Sequence, residues 1–457
     1  MVLAGQGVTA APPLRADQAR FRELFQELVE TDTTLSAGSC TLAAERMAAR
    51  LKAAGFPDNH LTLFADPAHP KEGGLVAVYP GRSTTAKPIL LLAHIDVVEA
   101  KREDWTRDPF KLVEENGYFY ARGTADTKAL AAIWVDTLIR FKQSGYEPAR
   151  TVKVALTCGE ETNGAFNGAQ WLTENRRDLI DAEFALNEGG GGNSDGKGRL
   201  VSQDVQVGEK TFVNFRLETR NAGGHSSTPV RDNAIYQLAR ALTRIDEHEF
   251  PLELNDTTRA FFAGAGKTRN DAMGRAMVAI AANPADRAAE QVLNSDRTFH
   301  SMLRTTCVAT LLDAGHAANA LPQRARANVN CRIFPGRSIE ETGAALAHVI
   351  ADPAVTITAL PPVRPTTAAP PLDPAIIGPM KSVAKRYFPG VPIVPSMATG
   401  YTDATFLGAA GIPTYGVPGP WFDPDGNGVH GLNERIEVRA VYVGRDYLFD
   451  LIKAYAN

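Results

Sequence analysis

Short apolar runs alternate with longer amphipathic stretches along most of the chain. Residues 89–93 and 152–157 are largely apolar, as is typical of strands that are buried on both faces. Residues 17–30 and 127–143 instead carry apolar side chains at helical spacing. Strands that alternate with helices in this way predict an α/β fold.

The pattern changes near residue 208. A strand at 212–220 alternates apolar and polar residues, and the elements that follow are a helix at 232–245, a helical insertion at about 257–293, strands at 305–312 and 324–334, a helix at 339–350 and a strand at 355–360. Without the insertion, this is the split βαβ order. A proline-rich linker at 361–365 leads back to the α/β pattern. We therefore predict a discontinuous domain of residues 1–210 and 364–457, interrupted by an α+β domain of residues 211–363.

Composition and charge narrow the classes of partner. The chain has 457 residues, of which 44% are hydrophobic and 22% charged, and its formal net charge is −4. This balance is ordinary for a soluble globular protein and gives no surface for polyanions, so we expect no nucleic acid partner. No apolar run approaches the roughly 18 residues that cross a bilayer, so we expect no membrane partner.

The N-terminus suggests export. Val8-Thr9-Ala10, followed by alanine and two prolines, resembles the tail of a trimmed signal peptide. We predict a periplasmic or secreted protein, with a disordered N-terminus of a cytoplasmic protein as the alternative.

The four cysteines have no CxxC spacing. We expect buried free thiols, with a cross-strand pair between Cys307 and Cys331 as the alternative.

Groups that can bind metal follow three of the predicted strands. His94 and Asp96 end the first, Glu160 and Glu161 follow the second, and Glu188 follows the third. Ligands bind at the carboxyl ends of strands in open α/β sheets, so these groups are expected to converge. For His94 and Asp96 alone, a buried hydrogen bond without a metal is the alternative.

Asp126 lies in a glycine-bearing loop at the start of a predicted helix, between two of these clusters. One aspartate with metal-binding groups on both sides predicts a carboxylate that bridges two cations. His430, in a glycine-flanked loop near the C-terminus, would supply the second nitrogen ligand that such a set needs.

Glu160 and Glu161 would repel each other unless one binds a cation and the other is protonated part of the time. This division suits metal-assisted hydrolysis, with Glu161 on the metal and Glu160 moving a proton. A solvated acidic loop is one alternative, and a thiol hydrolase with Cys158 as nucleophile is another. The glycine run after Glu188 could suggest a phosphate loop, but it lacks the lysine and the G-x-G-x-x-G spacing.

These motifs together resemble a known family. His94-x-Asp96, Gly123-Thr-Ala-Asp126-Thr-Lys, Glu160-Glu161, Glu188 and His430 match in order and spacing the co-catalytic di-zinc metallopeptidases, which include aminoacylase, acetylornithine deacetylase, succinyl-diaminopimelate desuccinylase and glutamate carboxypeptidase. The resemblance covers nearly the whole chain. It implies a zinc-exopeptidase-like catalytic domain, with a mixed central sheet flanked by helices, and an inserted ferredoxin-like lid that also dimerises.

The resemblance also implies roles for the metal-site residues. One zinc would be held by His94, Asp126 and Glu188, and the other by Asp126, Glu161 and His430, with cobalt or manganese as possible substitutes. Glu160 would act as general base and then acid, and Asp96 would orient His94. The peptide bond between Asp126 and Thr127 is expected to be cis.

Further residues match positions that contact the substrate. Asn319 and Arg332 match positions that hold the substrate backbone and carboxylate, and Gly400 matches a backbone contact near the scissile bond. Arg364 is a second cationic candidate. His225 matches a histidine that reaches the active site of the partner subunit, so a homodimer is predicted. The alternatives are an exposed strand arginine at 332 and a histidine that only closes a turn at 225.

Departures from the family pattern bear on the substrate. Cys158 is unusual before the glutamate pair, and position 188 is Glu, which is common in the deacylases, rather than Asp. The segment from Trp105 to Asp108-Pro-Phe110 resembles the aminoacylase and carboxypeptidase S branches. We expect cleavage of an N-acyl-amino acid or short peptide with a free carboxylate; the alternatives are a carboxypeptidase or dipeptidase proper and a non-catalytic metal-dependent binding protein.

Overall fold

A computed structural model describes residues 14–162 and 166–457. The helices and strands up to residue 209 are α1 (Ala16–Val29), α2 (Cys40–Ala53), β1 (Leu61–Asp66), β2 (His69–Tyr79), β3 (Ile89–His94), β4 (Val113–Glu115), β5 (Tyr118–Tyr120), α3 (Lys128–Ser144), β6 (Val152–Thr157), α4 (Gly168–Asn175), α5 (Arg177–Ile180), β7 (Phe184–Asn187), β8 (Gly191–Ser194) and β9 (Leu200–Glu209).

The middle of the chain forms a second group of elements. They are β10 (Thr211–Arg220), β11 (Gly224–His225), α6 (Ala234–Asp246), α7 (Asp256–Gly266), α8 (Ala272–Ala282), α9 (Arg287–Asn294), α10 (Arg297–Met302), β12 (Thr306–Ala314), β13 (Ala320–Leu321), β14 (Arg324–Ile333), α11 (Ile339–Ile350) and β15 (Thr356–Leu360). The remaining elements are α12 (Pro374–Tyr387), β16 (Ile393–Ala398), α13 (Ala404–Ala409), β17 (Thr414–Gly416), β18 (Trp421–Phe422), β19 (Arg435–Glu437) and α14 (Val438–Ala456).

A ten-stranded mixed sheet joins strands from the first and last parts of the chain. Its order is β1-β2-β6-β3-β7-β17-β9-β8-β18, with β16 paired to β9. At its centre, β3 runs parallel to β6 and β7, whereas β2 runs antiparallel to β6. Every residue of β3 and of β6 is buried, which explains their continuous apolar runs. The predicted α/β fold with a mixed central sheet flanked by helices is confirmed.

Helix α3 lies against this sheet and positions the Asp126 loop. It is apolar on nearly all sides and packs between β3 and the helices α1 and α14. The indole of Trp134 donates a hydrogen bond of 3.0 Å to the carbonyl of Leu92 in β3. The helix ends at Gly145, whose φ of 63° is the left-handed conformation that suits glycine. The N-terminus of α3 is thereby fixed near the carboxyl end of β3.

The second group of elements builds a separate antiparallel sheet of order β12-β14-β10-β15. Its buried residues pack against α6 and α11 in an apolar cluster distinct from that of the large sheet. The elements follow the strand and helix order expected for a split βαβ unit, and the insertion forms the four helices α7 to α10, with a third apolar cluster. The exact division at residues 210 and 364 stays a prediction.

The expectation of free thiols is wrong. Cys40 is bonded to Cys158, and Cys307 is bonded to Cys331. The first pair is 118 residues apart in sequence and is brought together only where the start of α2 meets the end of β6. The second pair occupies directly opposed positions of β12 and β14, so the cross-strand alternative is the correct one.

Two expectations concern the membrane and export. The described part of the chain contains no helix that is long and apolar enough to span a membrane. The signal-peptide tail predicted at Val8 to Ala10 lies outside the described residues.

Candidate metal centre and active site

Three neighbouring parallel strands deliver the predicted ligands to one edge of the sheet. β3 ends in His94, β6 leads into Glu160 and Glu161, and β7 leads into Glu188. Because β6, β3 and β7 are adjacent and parallel, their carboxyl ends lie side by side. The convergence that the sequence predicted is therefore a direct result of sheet order.

Asp126 lies between two imidazoles. Its Oδ1 is 3.2 Å from Nε2 of His94, and its Oδ2 is 3.1 Å from Nε2 of His430. The peptide bond that follows, Asp126–Thr127, is cis, as the resemblance implied. One carboxylate with a ring nitrogen at each oxygen is the arrangement that a bridging ligand requires.

Each imidazole has a further carboxylate beside it. Glu188 Oε2 is 3.3 Å from Nε2 of His94, and Glu161 Oε2 is 2.9 Å from Nε2 of His430. Ligand atoms of His94, Asp126 and Glu161 all lie within 4.8 Å of one another. Imidazole nitrogens and carboxylate oxygens in sets of this size are donors that zinc accepts. The residues present therefore fit a pair of metal ions that share Asp126.

The other ring nitrogen of His94, Nδ1, lies against Asp96. Nδ1 lies 3.0 Å from the backbone oxygen of Asp96 and 3.6 Å from its carboxylate. The same carboxylate accepts a hydrogen bond of 3.0 Å from the backbone N–H of Glu161. Asp96 thus fixes both an imidazole and the glutamate turn, as outer partners of metal ligands usually do.

The electrostatics reflect carboxylates crowded in a buried space. Burial, together with the charges of Asp126 and Glu161, raises the pKa of Glu188 to about 7. Hydrogen bonds with Asp126 and Glu161 raise the pKa of His430 to about 10. Burial by itself lowers the pKa of His94, but the carboxylates around it raise the pKa well above its usual value. The cluster therefore favours positive charge at its centre.

Glu160 is buried beside the cluster rather than between the imidazoles. Burial and the negative charge of Glu188 raise its pKa well above the usual range. A ligand atom of Glu160 nevertheless lies within 4.8 Å of those of His94 and Glu188. Its carboxyl group is thus close enough to exchange a proton with a molecule held at the cluster.

Sequence reasoning missed Glu434, which shapes the bridging loop. This fully buried carboxylate accepts hydrogen bonds from the backbone N–H groups of Gly123, Ala125 and Asp126 at 3.1, 2.8 and 3.1 Å. It also accepts one of 2.8 Å from Arg122 Nη1. Its position four residues after His430 was an available signal, but nothing in the sequence indicated that the side chain is buried.

Tyr401 is a second missed residue, and it joins two predicted ones. Its hydroxyl accepts a hydrogen bond of 2.8 Å from Arg364 and donates one of 3.4 Å to the backbone oxygen of Glu160. The Arg364 guanidinium lies 3.7 Å from the centre of the Tyr401 ring. Gly400 directly precedes this tyrosine. Arg364 and Gly400, both predicted to contact the substrate, therefore lie on the Glu160 side of the cluster.

Arg332 lies next to this group, on β14. Its guanidinium is 4.8 Å from the ring centre of Phe212, whose ring is in turn 6.0 Å from that of Tyr401. Arg332 is partly buried, and its Nη1 has no hydrogen-bond partner within the described ranges. It is therefore not the fully exposed strand arginine of the alternative.

His225 and Asn319 are not brought to the metal cluster within this chain. They lie at the β11–β13 strand pair, where the backbone N–H of Ser226 donates to the Asn319 carbonyl at 3.0 Å, and both side chains are exposed. Nδ1 of His225 accepts a hydrogen bond of 3.1 Å from the backbone of Ser227. Neither forms a hydrogen bond or ion pair with a predicted metal ligand in the described part of the chain.

Two alternatives lose their basis. Cys158 is bonded to Cys40, so it is not a free thiol nucleophile. Gly191 and Gly192 belong to β8 and pair with β9, so the glycine run does not open a helix as a phosphate loop would.

Comparisons with known proteins agree with this geometry. Residues 90–454 match the profile of peptidase family M20/M25/M40. The human N-fatty-acyl-amino acid synthase/hydrolase PM20D1 is 27% identical over 390 residues, covering 82% of this chain and 75% of that protein.

Solved structures share the fold. The M20 family metallo-carboxypeptidase Sso-CP2 from Sulfolobus solfataricus superposes with a TM-score of 0.72 at 18% identity, covering 97% of this chain and all of that one. YXEP from Bacillus subtilis, a dinuclear metal-binding peptidase from the M20 family, gives a TM-score of 0.61 at 14% identity, covering 96% and 99%.

These matches confirm the predicted resemblance and the predicted class of metallohydrolase. The family match spans well over half of the chain and includes the sheet edge at which the ligand set converges. The chain belongs to peptidase family M20/M25/M40.

Proposed function

We propose that this protein is a two-zinc amidohydrolase that cleaves the amide bond of N-acyl-amino acids or short peptides with a free carboxylate. The observation that carries the proposal is the position of Asp126, with His94 and His430 at its two oxygens. The names of the relatives support both halves of the substrate class, since one acts on N-fatty-acyl-amino acids and another is a metallo-carboxypeptidase. A carboxypeptidase or dipeptidase proper is the second candidate.

The ligand set divides into two groups that share Asp126. His94 and Glu188 would complete one site, and Glu161 and His430 the other. Zinc ions held there would polarise the scissile carbonyl and lower the pKa of water; cobalt or manganese could substitute. Asp96 supports this division because it fixes the ring of His94 and the turn of Glu161 at once.

Glu160 is proposed as the general base. It takes a proton from the attacking water and returns one to the leaving nitrogen. Burial and the negative charge of Glu188 raise its pKa, which makes the carboxyl group a stronger proton acceptor than an exposed glutamate.

The cationic groups beside Glu160 are proposed to hold the substrate carboxylate. Arg332 and Arg364 lie on either side of the aromatic rings of Phe212 and Tyr401. A planar guanidinium matches a carboxylate in shape and charge. The backbone of Gly400 is proposed as a further contact to the substrate.

His225 and Asn319 are proposed to act in the active site of a partner subunit, as part of a homodimer. Strand β12 is an edge of its sheet, and Leu311 and Leu312 on it are 71% and 67% exposed. An exposed apolar edge strand is an association surface, and a two-fold dimer would cover it. Such a dimer allows one lid to reach the other subunit's site.

An oxidising compartment, periplasmic or extracellular, is proposed as well. Disulfides persist in such compartments and are rare in the cytosol. The two disulfides, Cys40–Cys158 and Cys307–Cys331, support this assignment.

A substrate screen on zinc-loaded protein tests the function. We expect release of free amino acid from N-acyl-amino acids or dipeptides, loss of activity with a chelator, and recovery when zinc is added back. Two zinc ions per chain by elemental analysis are expected. A protein that binds both ions but hydrolyses no amide would instead support the non-catalytic binding protein.

A further inference from the structure

A cavity of about 310 Å³ borders the metal cluster, and among the described residues its lining does not include Glu160, Tyr401 or Arg364. Asp126 and Glu188 form part of its lining, so it is continuous with the proposed reaction site. Much of the remaining wall is apolar, with contributions from Leu130, Val417, Pro420, Phe422, Val429 and Ile436. Its volume is roughly twice that of a 150 Å³ cavity known to hold benzene, so it suits a ring or a medium-length chain.

The glycine run after Glu188 forms part of the wall of this cavity. Gly191 has a φ of +147°, and a Cβ added there would lie 2.7 Å from the ring of Phe422. Gly191 is paired directly with Asp204 across β8 and β9, and both residues line the cavity. Because Gly191 has no side chain, the ring of Phe422 can pack against this wall.

Asp204 is the carboxyl group of this lining that the proposed ligand set does not use. Ser202 Oγ donates to its Oδ1 at 2.9 Å, and Asn193 Nδ2 donates to its Oδ2 at 2.9 Å. Across residues 14–162 and 166–457, no lysine or arginine forms an ion pair with it. Burial raises its pKa and outweighs the opposing effect of the two hydrogen bonds. A buried carboxylate with only neutral donors has unused acceptor capacity, which a ligand can satisfy.

We propose that the cavity receives the acyl half of the substrate and that Asp204 selects acyl groups that carry a hydroxyl or ammonium donor. The inference rests on the proposed amidohydrolase function. The assignment of the cavity follows from the proposed position of the amino-acid half. The guanidinium groups beside Glu160 bind the amino-acid carboxylate, so the cavity remains for the acyl half of the amide. Acyl groups that end in a carboxylate are rejected, because Asp204 repels a second negative charge.

Four substrates that differ only at the acyl terminus test the selection. They are the hexanoyl, 6-hydroxyhexanoyl, 6-aminohexanoyl and adipoyl derivatives of one amino acid. We expect kcat/KM to be at least 10-fold higher for the 6-aminohexanoyl than for the adipoyl compound, with the hydroxyl compound above hexanoyl. In Asp204→Asn, which keeps the shape, the ratio of 6-aminohexanoyl to adipoyl should fall to within about threefold of unity.

Asp195→Asn is the matched control, because Asp195 is an exposed aspartate on the turn between β8 and β9. It makes the same change of charge in the same hairpin, and the ratio should stay at the wild-type value. Equal efficiency on all four compounds, or a ratio unaltered by Asp204→Asn, would overturn the inference. Absence of hydrolysis of every N-acyl-amino acid would instead overturn the proposed function itself.

Leu130→Phe tests which half of the substrate the cavity takes. Leu130 lies in the first turn of α3 and lines the cavity. The added bulk should lower the ratio of hexanoyl to acetyl turnover several-fold and leave the ranking of amino acids unchanged. A changed ranking of amino acids with an unchanged acyl ratio would assign the cavity to the other half of the substrate and refute the proposal.

Discussion

The cluster around Asp126 and the β11–β13 strand pair that carries His225 are both proposed to act on the substrate, yet they are built in opposite ways. Each imidazole of the cluster has two carboxylates within about 3.3 Å, all on parallel strands, a helix start or a loop braced by Glu434. His225 and Asn319 on this strand pair are exposed, and the His225 ring accepts a hydrogen bond from its own turn. A single chain thus brings the proposed metal ligands together, whereas the proposed role of His225 requires a partner subunit.

The largest effect that would sharpen this contrast is expected at Glu160. Glu160→Gln should lower kcat by roughly 10²–10⁴-fold, because proton transfer is lost, while both metals are retained. Glu161→Gln should lose metal as well. Parallel kinetics and elemental analysis measure both, and equal metal loss in the two variants would mean that the two roles are assigned wrongly.

His225→Ala should lower kcat by about 10²–10³-fold if the imidazole donates to the developing oxyanion. Mixing inactive His225→Ala with inactive Glu160→Gln and allowing subunits to exchange gives heterodimers in which one site has both groups. Activity should then recover towards half of the wild-type value per mixed dimer. Exchange without recovery would contradict the action in the partner's site and leave the histidine as a turn residue.

Glu434→Gln tests whether metal binding depends on the buried hydrogen bonds between Glu434 and the Asp126 loop. The change weakens the charge-assisted hydrogen bonds to the Asp126 loop and to Arg122, and we expect metal affinity to fall about 10–100-fold. Titration of the apo-protein with zinc against a competing chelator measures it. Glu103→Gln, which makes the same change of charge at an exposed position, is the control and should bind zinc as the wild type does.

Because of Arg332, efficient hydrolysis should depend on a free carboxylate in the substrate. Charge-assisted hydrogen bonds of this kind contribute about 1.5–3 kcal/mol, so amidating the carboxylate should lower kcat/KM roughly 10–100-fold. In Arg332→Met the free and amidated substrates should differ much less. A wild-type enzyme that is indifferent to amidation would remove Arg332 from this role.

The smallest expected effect is the difference in the free energy by which the two disulfides stabilise the fold. They close loops of 118 and 24 residues in sequence separation. On the chain-entropy account they stabilise by about 4.9 and about 3.5 kcal/mol, so replacing both cysteines of the Cys40–Cys158 pair by serine should cost about 1.4 kcal/mol more. Denaturant unfolding of the two double-serine variants measures it, and the reverse order would show that native packing outweighs loop closure.

The sequence by itself determined the α/β fold and most of the ligand set. Its apolar runs are long enough to identify β3, β6 and β7, and each is followed at once by a group that binds metal. Because parallel strands end at one edge, knowing the strands was enough to predict that His94, Glu161 and Glu188 converge. The resemblance, which rests on the order of the motifs, also predicted the role of His430 and the cis peptide bond after Asp126.

Only the tertiary structure decided the partners of groups that are distant in the chain. Glu434 reads as an ordinary loop glutamate, but folding buries it under the Asp126 loop 308 residues away. Cys40 and Cys158 carry no spacing signal, and Asp204 lines a cavity together with residues that are distant from it in the chain. Local patterns record how a residue suits its own strand or helix, whereas burial and pairing depend on which distant segments pack together, and that information emerges only when the sheet is assembled.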